Sequence, residues 1–159
     1  MDDKGIMKGI QTALRAERAA RLFYLKAADK ASNAQGKTLL LELADFEAHH
    51  EQKLMELAES LTAAKYIHYD GKELLYPKPE GGSSPQAEAH PQEMAEILGM
   101  AMDSEKKAQE RYQRLAKATE DPLGKAMFER LAQEEAMHHR ILSDEFYTLS
   151  NEGLWVWAE

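Results

Sequence analysis

Four stretches of the chain repeat apolar residues at steps of three and four, the spacing that lines one face of a helix. They run through Ile6, Ile10, Ala13 and Tyr24; Leu39, Leu43, Leu54, Leu57 and Leu61; Leu98, Ala101, Ala108 and Tyr112; and Met127, Leu131, Leu142 and Leu149. The periodicity predicts helices over about 4–32, 37–63, 91–119 and 123–150. Residues 64–90 break it, because Pro77, Pro79, Gly81, Gly82 and Pro85 exclude a continuous helix. A connection of that length reaches from one end of a roughly 40 Å helix to the other. The expectation is an all-α four-helix bundle in a single domain, 1–159, with hairpins 4–63 and 91–150 joined by a long crossover, 64–90. Within the crossover, Tyr66-Ile67-His68-Tyr69 and Glu73-Leu74-Leu75-Tyr76 flank Asp70-Gly71 and fit either a small hairpin or an irregular strap packing its aromatics on the bundle. Gly153 stops the fourth helix, and the tail 151–159 carries Leu154, Trp155, Val156 and Trp157, suited to covering its own bundle end or a partner's.

The polar residues inside these stripes are more informative than the apolar ones. Glu17 interrupts the first, Glu47 and His50 the second, Glu105 the third, and Glu135 and His138 the fourth. The second pair of stripes repeats the first in register, 88 positions on: Glu17/Glu105, Ala20/Ala108, Tyr24/Tyr112, Ala28/Ala116, Gly36/Gly124, Lys37/Lys125, Leu43/Leu131, Ala44/Ala132, Glu47/Glu135, His50/His138 and Leu54/Leu142. Such a gapless match points to an internal duplication. One Glu-x-x-His spacing would be weak, since this composition produces it by chance. Two in register, each at the middle of a buried stripe, are a different matter.

Equal height along the bundle supports the same reading. In an antiparallel hairpin, residues equidistant from the turn lie level, and Ser32, midway between Glu17 and Glu47, sits in the cluster Ser32-Asn33-Ala34-Gln35-Gly36. Glu120, midway between Glu105 and Glu135, adjoins Asp121-Pro122. All four glutamates therefore converge on one level. Left unpaired there, ionised carboxylates would cost several kcal/mol each, against the roughly 5–15 kcal/mol by which a domain is stable. Two divalent cations balance four glutamates, with neutral His50 and His138 each completing one shell. Oxygen and imidazole donors without thiolate suit iron or manganese, as a homometallic or mixed pair.

Composition narrows the functional classes. A net charge of -8 and a pI near 5.3 argue against nucleic acid or an anionic membrane surface as a partner. The absence of cysteine excludes disulfides, thiol catalysis and iron–sulfur ligation. An N-terminus without an apolar core and the lack of a long apolar run lead us to expect a soluble, cytoplasmic protein. His49 and His139 neighbour the candidate ligands but project about 100° away, toward the surface. His68 and His90 fall in the connection, and Met94, Met100, Met102, Met127 and Met137 read as core filler.

The set Glu17, Glu47, His50, Glu105, Glu135 and His138 resembles the di-iron carboxylate ligands of the ferritin-like superfamily, and the local sequences resemble its rubrerythrin branch. Phe128-Glu129-Arg130-Leu131-Ala132-Gln133-Glu134-Glu135, followed by His138 and Leu142, is similar to the last bundle helix of rubrerythrin-like proteins; Glu105-Lys106-Lys107-Ala108, followed by Tyr112, is similar to the third. The Gly153-Leu154-Trp155 ending resembles short members that lack the rubredoxin domain. The resemblance implies a ferritin-like bundle holding two iron ions, bridged by Glu47 and Glu135 with Glu17 and Glu105 terminal. It implies reduction of hydrogen peroxide or dioxygen with electrons from a separate donor protein, and a homodimer. Tyr24 and Tyr112, on the ligand faces, would hydrogen-bond a bridging carboxylate across the bundle. Ala108 stands where typical members carry a further carboxylate, leaving a symmetric site with Ala20 opposite. A ferroxidase, a small-substrate oxygenase and a non-enzymatic metal-binding bundle are the alternatives.

Overall fold

The computed structural model describes residues 2–73 and 86–157. Helix α1 spans Asp3–Lys30, α2 Ala34–Leu61, α3 Pro91–Ala118 and α4 Pro122–Glu152. The α1–α2 and α3–α4 hairpins pack side by side, with α1 against α3. No helix among the described residues is long and apolar enough to cross a membrane.

The helix ends follow from capping chemistry. Asn33 accepts from the Gly36 amide at 3.0 Å, so α2 begins at Ala34, three residues before the periodicity places it. The equivalent Asp121 accepts from the Leu123 and Gly124 amides at 2.9 and 3.2 Å, and Pro122 occupies the first turn of α4. At the other end of α4, Gly153 adopts φ 70° and carries the helix through Glu152 before reversing the chain. Both hairpins use the same clamp. Lys37 Nζ donates to the Ala28 carbonyl at 3.0 Å, and Lys125 Nζ donates to the Ala116 carbonyl at 3.0 Å.

Two apolar clusters form the core, one above and one below a polar layer. One joins Tyr24, Leu39, Leu43, Leu98, Leu142 and Trp155; the other joins Ile10, Leu54, Tyr112, Met127, Phe128 and Leu131. In every helix the candidate ligands fall between the segments feeding these clusters. Met94 and Met127 are buried, but Met100 is 61% exposed rather than core filler, because it lies on the outer side of α3 beside a cleft.

The tail covers its own bundle. Leu154–Trp155 pairs antiparallel with Gln86–Ala87, a two-residue ladder that helical periodicity cannot announce. Trp155 is fully buried, and its indole N–H donates to Glu88 at 3.1 Å. Residues 65–73 contain no strand, and Tyr69 instead turns inward, as in a strap. The second arm of the alternative hairpin, from Leu74, lies outside the described residues.

Candidate metal centre

Glu17, Glu47, His50, Glu105, Glu135 and His138 are all at most 2% exposed and meet at the middle of the bundle. Their donor atoms form two overlapping quartets, each with all atoms within 4.8 Å of one another. Glu17, Glu47, His50 and Glu135 make one; Glu47, Glu105, Glu135 and His138 make the other. Glu47 and Glu135 belong to both.

The donor atoms are placed where they could hold cations. Each side chain buries at least one polar atom that makes no well-aligned hydrogen bond: Oε2 of Glu17 and Glu105, Oε1 of Glu47 and Glu135, Nδ1 of His50, and both ring nitrogens of His138. Buried polar groups normally find partners, so the convergence of these atoms on one volume is an arrangement that could hold metal ions. His50 Nδ1 lies 2.9 Å from Glu135 Oε1 and 3.4 Å from Glu17 Oε1; His138 Nδ1 lies 3.3 Å from Glu47 Oε1 and 3.5 Å from Glu105 Oε1.

Without cations, the cluster balances its charge with protons. Burial, reinforced by the surrounding carboxylates, pushes the shared Glu47 and Glu135 well above the ordinary carboxylate range. Burial also pushes Glu17 up, but the His50 charge and hydrogen bonds from Glu47 and Tyr112 outweigh it and bring the group to about 2. Glu105 is lowered likewise, with His138, Glu135 and Tyr24 overcoming burial. Burial depresses His50, yet Glu17 and Glu134 more than compensate and raise it.

Tyr24 donates its hydroxyl to Glu105 Oε1 at 2.6 Å, and Tyr112 donates to Glu17 Oε1 at 2.5 Å. Each crosses between α1 and α3, as the sequence suggests, but reaches a glutamate found in one quartet rather than a shared one. Each phenol lies about two turns along its helix from the layer of glutamates, in the apolar cluster beside it, and reaches back to the glutamate of the opposing helix. Burial and the neighbouring carboxylates hold both phenols protonated.

Two participants escape the periodicity. Glu134, 3% exposed, accepts from His50 Nε2 at 2.9 Å, from the Tyr69 hydroxyl at 2.5 Å and from the Lys72 amide at 2.7 Å. Its signal in the sequence is a mismatch, since the duplicate position holds Phe46. Tyr69 comes from the crossover and leaves no such trace. His49 is half-buried against Tyr69, with ring centroids 6.0 Å apart, and not on the open surface. His68 is exposed and pairs with Asp70 at 2.6 Å. His139 is half-buried.

The centre has one closed side and one open side. Phe46 and Tyr69 pack around the two imidazoles between α2 and α4. Between α1 and α3, a cavity of about 190 Å³ opens onto all four glutamates, past Ala20 and Ala108. Asp103, Lys107 and Arg111 stand among its lining.

Four helices presenting paired glutamate and histidine donors to one mid-bundle layer define the class: a ferritin-like bundle with a candidate two-metal centre. The chain belongs to the rubrerythrin family, whose model matches residues 8–88 and 96–153. A hypothetical protein from Pyrococcus furiosus is similar, at 27% identity and a TM-score of 0.72 over 92% of this chain and 90% of that one. A two-domain protein from Anabaena variabilis, with DJ-1/ThiJ/PfpI-like and ferritin-like domains, shares the fold at 18% identity and a TM-score of 0.67, over 96% of this chain and 39% of that one. No protein of curated function matches significantly.

Proposed function

We propose that the protein is a di-iron oxidoreductase that reduces hydrogen peroxide to water, with dioxygen as the competing oxidant. The observation that carries this reading is the open side of the centre: a small cavity leads directly to the shared pair Glu47 and Glu135. Hydrogen peroxide takes up two electrons and two protons to give two waters, and two iron ions, when bound, supply one electron each. Glu17 and His50 would hold one ion, Glu105 and His138 the other, with Glu47 and Glu135 shared between them.

The protein's part is orientation and proton supply. Tyr24 and Tyr112 hold protons at their hydroxyls and fix the rotamers of Glu105 and Glu17. Ala20 and Ala108 leave space for an oxidant the size of peroxide. Phe46 and Tyr69 exclude water from the histidine side. Electrons would come from a separate donor protein.

Elemental analysis after anaerobic iron reconstitution should give two ions per chain; a value near zero or one ends the dinuclear reading. Stopped-flow absorbance of the reduced, loaded protein then compares the oxidants, with peroxide expected to react faster. A faster reaction with dioxygen promotes a second reading, ferroxidase or oxidase chemistry. That reading draws on Ala108, because a further carboxylate there would ease charge redistribution between oxidation states. Formation of ferric mineral identifies the ferroxidase.

A further inference from the structure

We infer that the two metal positions are inequivalent, the one completed by His50 filling first because Glu134 braces that imidazole while Phe46 leaves His138 unbraced. The inference rests on the two-metal reading above.

Position 46 of the first half corresponds to 134 of the second, and each side chain faces the histidine of the opposite half. Glu134 Oε1 accepts from His50 Nε2 at 2.9 Å. Nε2 therefore keeps its hydrogen whatever happens at Nδ1, and Nδ1, which faces Glu17, Glu47 and Glu135, is the nitrogen whose proton a metal would displace. Glu134 is itself held from four directions: by the Tyr69 hydroxyl, the Lys72 amide, His50 and, at 3.3 Å, the Arg130 guanidinium. Phe46 instead sets its ring edge-on to His138, with centroids 4.4 Å apart and planes at 85°. His138 Nε2 is consequently buried with no hydrogen-bond partner. Nothing of comparable strength selects its tautomer or ring angle.

Topology explains why the duplication lost its symmetry here. Tyr69 and Lys72 belong to the crossover, and the chain has one crossover, so only one of two equivalent carboxylates could be anchored from outside. A glutamate at position 46 would lack the Tyr69 hydroxyl and the Lys72 amide and would have near it, among the described residues, only the Lys72 ammonium, 5.3 Å from the Phe46 ring centroid. Phenylalanine fills the same volume without that penalty. A carboxylate behind a metal-bound imidazole raises ligand basicity and holds the ring in place, and its loss typically weakens metal binding by about 10- to 100-fold.

The experiment adds iron-57 as Fe(II) anaerobically to the metal-free full-length protein and reads Mössbauer spectra at one and two equivalents. One quadrupole doublet should dominate at the first equivalent and the second appear afterwards. Glu134→Leu should abolish the preference and weaken the first equivalent by roughly 10- to 100-fold, while Glu134→Gln, which still accepts from Nε2, falls between. Phe46→Glu provides an independent arm: by offering His138 an acceptor it should bring the two doublets toward equal filling even if Glu134→Leu fails to fold. Equal doublets at the first equivalent in the unmodified protein, or a preference unchanged in Glu134→Leu or Phe46→Glu, overturn the inference while the two-metal reading stands. Failure of the unmodified protein to bind iron overturns that reading itself.

Discussion

The Tyr24 hydroxyl donates to Glu105 at 2.6 Å, and 88 positions on, the Tyr112 hydroxyl donates to Glu17 at 2.5 Å. The bonds are exchanged between the halves of the chain, so each hairpin orients a glutamate of the other. Neither hairpin alone contains a finished site. The reciprocal bonds and the shared Glu47 and Glu135 all lie on the interface between the two repeats.

Tyr24→Phe and Tyr112→Phe should each remove one bond to a buried carboxylate, an interaction worth about 1.5–3 kcal/mol. For a domain of this size that corresponds to a fall in Tm of roughly 3–10 °C in the metal-free protein. The two variants should lose similar amounts because the bonds are equivalent. Unchanged melting in both would mean that the phenols do not hold the glutamates.

Glu47→Leu and Glu135→Leu should have the opposite effect on the metal-free protein. Both carboxyls are 1% exposed and lie well above the ordinary carboxylate range chiefly through burial, so an apolar side chain removes a desolvation penalty that outweighs the hydrogen bond each makes to Glu17 or Glu105. Thermal melts should show equal or higher Tm, while the reconstituted variants fall short of two ions per chain. A marked loss of stability without metal would contradict the claim that these groups are retained for ligation.

Much of this architecture is legible in the chain because helix periodicity and duplication are both local signals read along one dimension. Four glutamates at stripe centres, equidistant from their turns, set the level at which they meet from the sequence alone. What stays hidden depends on contacts between remote segments. Tyr69 reaches Glu134 from a connection without periodicity, and the Gln86–Trp155 register joins two segments too short to carry a strand pattern. Glu134 lies between these cases. The substitution of Phe46 by Glu134 is visible on aligning the halves, but its partner is not. The α2 start differs by three residues because Asn33 caps the helix ahead of its first strongly apolar turn.

Gly36 and Gly124 occupy equivalent places, and each lies beneath an aromatic ring. An added Cβ at Gly36 would meet Trp155 at 2.5 Å, and at Gly124 would meet Tyr66 at 2.4 Å. Alanine ordinarily favours a helix by about 1 kcal/mol over glycine. Here the sign should reverse, because a buried indole cannot withdraw without opening the bundle end, and overpacking costs roughly 1–3 kcal/mol. Denaturant titrations of Gly36→Ala should show a lower midpoint. A higher midpoint would show that Trp155 does not seal that end.

The protons held by the cluster make a signed prediction about pH. In the metal-free fold Glu47 and Glu135 lie well above their ordinary 4.5, chiefly through burial, and His50 lies well above 6.5, where Glu17 and Glu134 overcome burial. A raised folded value gives stability that is complete below the unfolded value and lost as pH rises through the folded one. Glu17, lowered to about 2, contributes fully above 4.5 and loses its contribution only toward acid, so it is constant near neutrality. From about pH 6 to about pH 8 the metal-free protein should therefore lose about 1.4 kcal/mol per pH unit for each proton retained, or roughly 3–6 °C in Tm per pH unit for each such proton. Metal reverses the slope. Cations bind the deprotonated ligands and displace those protons, so affinity, and with it the stability of the loaded protein, should rise over the same interval. Calorimetric melts across this interval, with and without Mn(II), check both signs, and a metal-free Tm that climbs with pH would show that the carboxylates are ionised and solvated.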